Sequence, residues 1–411
     1  MRNFAAFTVS PKAEKSLRGG HPWVYSDEVR SVAGEYEQGG IVDVYSEKGK
    51  WLGAGFVNDA SKIRVRLISR NANDRFDEAF WERRIRYAVA YRKTVMGSLD
   101  TTRLIFGEAD SFPGFTVDKY SDLIVTQVLS LGIERIKDLL YRILVRVLAE
   151  EGQPVRGVLE RCDVAVREKE GLTQYKAFYR APDFPAPPEG TEASAARVMI
   201  SENGLLYEID CLEGQKTGYF LDQKFNRAAA ARIAPGLKVL DCFCNIGGFS
   251  LNCAAAGAAQ VTGVDISELA VATARAGAER NGLTANCSFV AADVFDLLTE
   301  LAASGRHDYN YIILDPPAFT KSRETVRDAY RGYKDINFRA MRALPRGGYL
   351  ATCSCSHFMS DELFRRMLDD AAADAAVSLR QIEARQAAPD HPILRGVPET
   401  EYLKFYLFQV V

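Results

Sequence analysis

The sequence predicts an α/β protein in which a C-terminal Rossmann-like sheet follows a β-rich region and a small α+β region. In the last half of the chain, short apolar strands alternate with helical stretches, as βαβ units of a parallel sheet do. Before about residue 70, strands are separated by turn sequences instead. We therefore divide the chain of 411 residues into three domains, at 1–72, 73–195 and 196–411.

The first region contains a predicted hairpin and a strand with one basic face. Two apolar strands, at 41–45 and 51–56, flank a Ser-Glu-Lys-Gly-Lys turn, which is typical of a β-hairpin. The next strand alternates, so its successive side chains face opposite sides of a sheet. Its apolar face, expected in a core, comprises Ile63, Val65 and Leu67. Its other face is predicted either to contact nucleic acid or to be solvated, and comprises Lys62, Arg64 and Arg66.

The second region mixes helices with strands. Periodic apolar residues predict a helix over 76–96. A second, amphipathic helix is expected over 133–150. Strands are predicted between them at 115–118 and 123–129. The Pro-rich stretch 181–192 is expected to be a loop or linker that closes the region.

The third region carries the parallel sheet. It opens with a predicted hairpin, because Asn203-Gly204 lies between two apolar strands. A final strand is predicted over 402–411. The five strands predicted to run parallel cover residues 237–241, 261–265, 288–291, 311–314 and 349–352.

Composition limits the functional classes. Hydrophobic residues make up 47% and charged residues 26% of the chain, as in an ordinary globular protein. The formal net charge of -2 means that any nucleic-acid contact must come from local basic patches. We find no signal peptide and no apolar run long enough to span a membrane. The eight cysteines are therefore expected to be free thiols, and the protein is expected to be cytoplasmic.

A glycine turn after the first strand of the sheet predicts a cofactor site. It runs Asp241-Cys-Phe243-Cys-Asn-Ile-Gly247-Gly248, and its glycines let the backbone approach a ligand closely. An acidic residue at this turn suits a cationic amino group. At the ends of the next two strands, Asp265 is placed for ribose hydroxyls and Asp293 for an adenine amino group. These ligand groups together predict S-adenosylmethionine, although each aspartate could instead cap a helix.

Two further strand ends are predicted to carry the reacting groups. One strand ends in Asp315-Pro316-Pro317, followed by Phe319, an aromatic ring that could stack on a base. Another runs into Thr-Cys353-Ser-Cys355. A thiolate that adds to carbon 6 of a pyrimidine makes carbon 5 nucleophilic, so this pattern predicts methylation of carbon 5. Asp315 is expected to face the same cleft, as part of the cofactor site and as a candidate base.

The cysteines also allow two plainer interpretations. Cysteines at strand ends are often small buried hydrophobic residues. The pairs Cys242/Cys244 and Cys353/Cys355 could in principle hold a metal ion. Their C-x-C spacing and the lack of clustered histidines argue against this. No metal is therefore expected.

A basic segment lies between these two strand ends. Residues 321–346 contain eight basic and three acidic residues. A helix would place Arg323, Arg327 and Arg331 on one face beside the cleft. With Lys321, these residues are predicted to contact RNA phosphates, whereas a solvated helix face is the alternative.

The assembled motifs resemble the bacterial large-subunit ribosomal RNA cytosine-5 methyltransferases (the RlmI-like family), over essentially the whole chain. His21-Pro-Trp-Val-Tyr-Ser26 resembles the family's N-terminal PUA domain, an RNA-binding barrel. The segment from Gly107 to Asp118 resembles its middle domain. Lys216-Thr-Gly-Tyr-Phe-Leu-Asp-Gln223 resembles the segment that positions the methionine end of the cofactor, which implies a role for Gln223.

The resemblance also implies roles for the reacting residues. In relatives the attacking cysteine follows the strand that ends Tyr-Leu-Ala-Thr here, which favours Cys353, while a register shift of two residues would offer Cys355. Pro398-Glu399-Thr400 resembles the segment that carries the base of uracil-5 methyltransferases, so Glu399 competes with Asp315 as proton acceptor. Another common type of cytosine-5 enzyme has a second cysteine after Pro-Pro, where this chain has Ala318.

The sequence therefore predicts an S-adenosylmethionine-dependent cytosine-5 methyltransferase acting on 23S ribosomal RNA, free or within a large-subunit precursor. A homodimer is left open. Two alternatives remain. One is a methyltransferase for a uracil carbon or an exocyclic amino group in ribosomal or transfer RNA. The other is an RNA-binding ribosome assembly factor without catalysis.

Overall fold

A computed structural model describes residues 3–320 and 322–411. The chain forms two compact units. The first comprises the chain up to Ile200, with Glu208–Leu221 and Pro389–Thr400, and the second comprises Ser201–Tyr207, Asp222–Ala388 and Glu401–Val411. Within the described ranges, no helix combines the length and the apolar character needed to cross a bilayer.

The first unit begins with a six-stranded sheet in the order β2-β6-β5-β4-β1-β3. The predicted hairpin is confirmed as β4 and β5, which pair antiparallel. Buried apolar residues of these elements, such as Phe7, Val42 and Val65, form one hydrophobic core. Its elements are β1 (Ala6–Val9), α1 (Pro11–Arg18), β2 (Trp23–Tyr25), β3 (Val29–Ala33), β4 (Ile41–Ser46), β5 (Trp51–Val57) and β6 (Ile63–Ser69).

A second sheet of five strands in the order β11-β10-β9-β8-β7 belongs to the same unit. The two predicted helices are confirmed. The first of them begins after Asp77, whose side chain accepts a hydrogen bond from Phe80 N and so caps the helix. The elements are α2 (Glu78–Met96), β7 (Thr101–Phe106), β8 (Phe115–Tyr120), β9 (Leu123–Val128), α3 (Leu131–Glu150), β10 (Gly157–Cys162), β11 (Tyr175–Phe178) and α4 (Glu192–Ala195).

The basic strand β6 differs from its prediction at Arg66. Val65 and Leu67 are buried as expected, but the Arg66 side chain is also buried and donates to Glu170 Oε1 at 2.7 Å. A buried guanidinium needs a carboxylate partner, and Glu170 supplies it. Arg66 therefore links β6 to the segment that contains Glu170 and does not lie on an exposed basic face.

We expect Glu170→Gln to lower the free energy of unfolding by about 2 kcal/mol, because a buried charged hydrogen-bond acceptor would become neutral. The Glu170 carboxylate also accepts hydrogen bonds from Ser61 Oγ and Asn58 Nδ2. Urea unfolding followed by circular dichroism measures the change. The control is Glu168→Gln, an exposed carboxylate nearby, which should change stability by less than about 0.5 kcal/mol. Equal changes in the free energy of unfolding for the two substitutions would show that the buried ion pair contributes no more to stability than an exposed carboxylate.

The segment Arg197–Asp210 forms the predicted hairpin. Its two strands, β12 (Arg197–Glu202) and β13 (Leu205–Asp210), are hydrogen-bonded to each other. The turn residues Asn203 and Gly204 have φ of 52° and 81°, the left-handed values that favour Asn-Gly here.

The second unit contains a seven-stranded sheet in the order β16-β15-β14-β17-β18-β20-β19. Its five predicted parallel strands are confirmed, and β20 runs antiparallel to β18. Strand β19 was not predicted, because its side chains are largely exposed and polar. The elements are α5 (Lys224–Ala231), β14 (Lys238–Cys242), α6 (Gly248–Ala255), β15 (Gln260–Asp265), α7 (Glu268–Arg280), β16 (Cys287–Ala291), α8 (Val294–Ser304), β17 (Tyr311–Leu314), α9 (Val326–Ala343), β18 (Tyr349–Ser354), α10 (Asp361–Asp374), β19 (Leu379–Arg385) and β20 (Lys404–Val410).

Candidate functional site

The carboxyl ends of the central strands bring three predicted groups to one edge of the sheet. Strands β14, β17 and β18 are consecutive and parallel, with Cys242 opposite Leu314 and Leu314 opposite Thr352. Asp241, Asp315 and the two cysteines therefore lie at the ends of adjacent strands. Ligands of open α/β sheets bind in the crevice at this edge.

The turn between β14 and α6 has an unusual backbone. Phe243, Asn245 and Gly247 have φ of 63°, 50° and 83°, so two residues with side chains adopt the left-handed conformation that glycine prefers. A Cβ atom at Gly247 would lie 3.0 Å from the Phe289 ring. Such clustered strain is typical of ligand-binding turns.

Asp241 is a buried carboxylate with one unused oxygen. Its Oδ2 accepts hydrogen bonds from Ser250 N at 2.9 Å and from Ser250 Oγ at 2.6 Å, whereas Oδ1 has no partner among the described residues. Burial raises the pKa of Asp241 to about 7, and the negative charge of Asp315 adds to the effect. A ligand with a positive charge would offset both the burial of the carboxylate and its repulsion by Asp315.

Asp265 ends β15 with both oxygens held in place. Its Oδ2 accepts from Asn245 N and its Oδ1 from Ser267 N, each at 2.9 Å. Because a carboxylate oxygen has two acceptor positions, each oxygen can accept one further hydrogen bond, as ribose hydroxyls require. The next residue, Ile266, is 75% exposed. Sequence reasoning missed this apolar side chain, which could cover a flat ring.

Asp293 caps a helix. Its Oδ1 accepts from Phe295 N at 2.7 Å and from Asp296 N at 3.4 Å, at the start of α8. Helix capping, the alternative role that the sequence allowed for this aspartate, is therefore present. Its side chain is exposed, so contact with an adenine amino group stays a prediction.

Gln223 and Asp315 form a hydrogen-bonded pair. The Gln223 Nε2 donates to Asp315 Oδ1 at 3.1 Å, while Gln223 Oε1 accepts from Asn226 at 2.6 Å. Asn226 therefore fixes the orientation of the amide. Burial raises the pKa of Asp315 to about 6, against the opposing positive charge of Arg227. This carboxyl can exchange a proton near neutral pH.

The two candidate cysteines have different surroundings. Cys353 is 0% exposed within β18 and lies opposite Phe405. Burial, reinforced by Asp315, raises the pKa of its thiol well above the usual value. Cys355 is the first residue after β18 and is half-buried.

Lys404 is a functional candidate that the sequence interpretation missed. It is 3% exposed, and its Nζ donates to Ser356 O at 2.6 Å and to Tyr402 O at 2.8 Å. Burial lowers the pKa of Lys404 to about 8, and its charge interacts with Cys355. The available signal in the sequence was a lysine among the mostly apolar residues 402–411.

The predicted stacking residue Phe319 is packed into the second unit. Its ring centroid lies 4.5 Å from that of Tyr333 and 6.1 Å from that of Phe295. The ring is only partly exposed. Its contacts leave it less surface for a base than the sequence suggested.

The predicted arginine stripe is shorter than expected. Helix α9 begins at Val326, so Arg323 precedes the helix and only Arg327 and Arg331 share a helical face. All three side chains are exposed. Lys321 lies outside the described residues.

The candidate base Glu399 belongs to the first unit. Its Oε2 lies 3.2 Å from His21 Nε2 there. Within the second unit, Asp315 is the predicted base that lies at the strand ends. Lys62, in the first unit, is exposed, and Arg64 is partly buried beside Asp59 at 2.8 Å.

The carboxylates at these strand ends fit the groups of S-adenosylmethionine. Asp241 offers a buried, unused oxygen for a cationic amino group, and Asp265 offers accepting oxygens for a ribose. The strained turn brings backbone close to the same edge. Gly248, at the start of α6, would place a Cβ atom 2.6 Å from Arg227 Nε, so a side chain there would disturb the turn.

Two family models match the chain. A PUA-like domain matches residues 7–70, and an S-adenosylmethionine-dependent methyltransferase matches residues 148–409. Among curated proteins, a ribosomal RNA large subunit methyltransferase I from Pseudoalteromonas atlantica is 40% identical over 98% of this chain and 99% of its own. One of the same name from Shewanella amazonensis is 41% identical over 96% of this chain and 97% of its own.

Solved structures share the fold. A candidate S-adenosylmethionine-dependent methyltransferase from Streptococcus mutans has a TM-score of 0.79 at 23% identity, covering 98% of this chain and 99% of its own. SMU.776, a candidate methyltransferase complexed with SAH, has a TM-score of 0.81 at 23% identity with the same coverage.

Proposed function

Since this chain belongs to the family of S-adenosylmethionine-dependent methyltransferases that includes the ribosomal RNA large subunit methyltransferases I, we propose that it methylates carbon 5 of a cytosine in 23S ribosomal RNA. S-adenosylmethionine is the cofactor of this chain. The observation that carries the choice of target atom is a partly exposed cysteine directly after β18, beside β17, the strand that Asp315 follows.

Methylation at carbon 5 needs a nucleophile that first activates the ring. In the proposed reaction a thiolate adds to carbon 6, and carbon 5 then forms a bond to the methyl group. A general base removes the proton from carbon 5. The bond between carbon 6 and the cysteine sulfur then breaks and releases the product. When bound, S-adenosylmethionine would supply the methyl group, whose bond to the sulfonium sulfur would break and leave S-adenosylhomocysteine.

We assign the thiolate to Cys355 and not to Cys353, which alignment on the strand favoured. A thiol that is fully buried and whose pKa is raised well above its usual value is a poor nucleophile near neutral pH. Cys355 lies past the end of β18 and is partly exposed, so a pyrimidine of the RNA has access to its thiol. The nearby Lys404 ammonium would stabilise its anionic form.

We assign proton removal to Asp315. A pKa of about 6 leaves most of this carboxyl ionised at pH 7 while keeping it basic enough to accept a proton. Its Oδ1 accepts a hydrogen bond from Gln223 Nε2, and the Cys353 thiol also interacts with this carboxyl. Asp241 and Asp265 would hold the cofactor from the neighbouring strands.

The test is a map of 5-methylcytosine in 23S ribosomal RNA from a strain that lacks this gene. We expect one modified position to disappear and to return when the gene is supplied. A gene carrying Asp308→Asn, an exposed carboxylate, is the control and should restore the modification. If every 5-methylcytosine persisted in the deletion strain, the proposed substrate would be wrong.

A further inference from the structure

We propose that single-stranded RNA binds in a groove along helix α2 of the first unit, with phosphates on Arg70 and Arg84 and a base stacked on Tyr87. This rests on the proposed function, because it takes RNA as the substrate class. It adds a binding surface that differs from the basic strand β6 and from the arginines of α9.

The groove consists of two adjoining concavities. One has a volume of about 470 Å³ and is lined along α2 by Arg83, Arg84, Tyr87 and Tyr91. The second has a volume of about 100 Å³ and includes Arg70. Arg84 and Ser111 line both, so the two concavities adjoin, and we call them together the α2 groove.

Two arginines in the groove have no carboxylate ion pair among the described residues. Arg70 donates to the carbonyl oxygens of Gly20 and His21, at 2.9 and 3.2 Å. The Arg84 guanidinium lies 4.5 Å from the centre of the Phe80 ring. Partial burial lowers the pKa of Arg84. A phosphate placed between them would offset that cost with a charged hydrogen bond.

The acidic residues of the groove each lie near an arginine, and Glu108 shares Arg66 with the buried Glu170. Asp110 is held by both terminal nitrogens of Arg92, at 2.5 and 2.7 Å. Glu108 lies 3.6 Å from Arg66, and Asp74 lies 3.3 Å from Arg83. The charge left for a partner is therefore positive, which favours a polyanion.

Exposed aromatic rings favour an unpaired nucleic acid. Tyr87 is 65% exposed and Tyr91 is 38% exposed, four residues apart on α2. Helical spacing places them on the same face. Bases stack on aromatic side chains only where they are unpaired, and RNA is commonly recognised in this way. Arginines beside exposed tyrosines thus match a single strand better than a duplex.

Binding of a fluorescein-labelled single-stranded RNA of about a dozen nucleotides, followed by fluorescence anisotropy at several salt concentrations, tests the proposal. The double variant Arg70→Gln, Arg84→Gln should bind at least about tenfold more weakly. Its plot of log affinity against log salt should be shallower by about 1.4, since each phosphate contact on a single strand contributes about 0.7. Tyr87→Ala should lose about tenfold in affinity without changing that slope.

The control for each single arginine substitution is Arg142→Gln, which removes one positive charge from an exposed position on α3 outside the groove. Arg70→Gln alone serves if the double variant unfolds, because Arg70 is exposed at the end of β6. Equal losses in the groove variants and the control would overturn the proposal, as would unchanged binding of Tyr87→Ala with stronger binding of duplex RNA. If the groove variants bound RNA as the wild type does and still methylated cytosine, the proposed RNA site in the groove would be wrong and the proposed function would stand. Absent methylation with groove-dependent binding would reject only the proposed function.

Discussion

Replacing Cys355 by serine should lower the rate of methyl transfer by about 10⁴-fold or more, because removing a catalytic nucleophile takes away the covalent route altogether. A hydroxyl in the same place is far less acidic than a thiol and would not add to carbon 6. The side chain is half-buried at the end of β18, so the fold should tolerate the change. Transfer of tritiated methyl groups to ribosomal RNA measures the loss.

The matched control is Cys353→Ala, two residues away on the same strand. Because Cys353 is fully buried, this change should cost some stability but keep the activity within about tenfold of the wild type. RNA that contains 5-fluorocytosine should trap a covalent complex with the wild type and with Cys353→Ala, but not with Cys355→Ser. The opposite pattern would identify Cys353 as the nucleophile. Full activity of the double variant Cys353→Ala, Cys355→Ser would exclude the covalent mechanism.

Replacing Asp241 by asparagine should weaken the binding of S-adenosylmethionine by about 10²-fold, because truncating one side of a buried charge pair costs several kcal/mol. The asparagine keeps the size of the side chain and can still accept from Ser250. It has no negative charge for an amino group. Isothermal titration calorimetry measures the change, and Asp308→Asn is the exposed control that should bind normally.

The same residue predicts how binding depends on pH. Burial raises the pKa of Asp241 to about 7, so in the free protein the carboxyl is mainly protonated at pH 6 and mainly ionised at pH 8. A cationic group prefers the ionised form, and affinity should rise as pH increases through this range. Asp241→Asn should remove that rise. A wild-type affinity that stays constant from pH 6 to pH 8 would contradict the assignment.

The sequence predicted the central strands of the second unit's sheet well because these strands are largely buried on both faces. Runs such as Tyr311–Leu314 are buried on both faces, and that burial is visible as a continuous hydrophobic stretch. Strand β19 lacks this signal, since its exposed polar side chains resemble a loop. The boundaries at residues 72 and 195 remain predictions.

The site was harder to predict where it depends on tertiary contacts. Strand alternation placed Arg66 on an exposed face, but no local pattern revealed that Glu170 would bury it, because the partner lies about a hundred residues away in the chain. Similarly, spacing alone could not distinguish Cys353 from Cys355, which differ in burial. The acidic strand ends, in contrast, followed from topology.

The unequal burial of the cysteines has a consequence for the conditions in which the protein can work. Seven of the eight thiols are buried, and Cys355 alone is half-exposed. Oxidants attack accessible thiolates first, and a sulfur that has become a sulfenic acid or a mixed disulfide no longer adds to a pyrimidine. The exposure that the proposed mechanism requires of Cys355 would therefore also tie the proposed activity to a reducing environment.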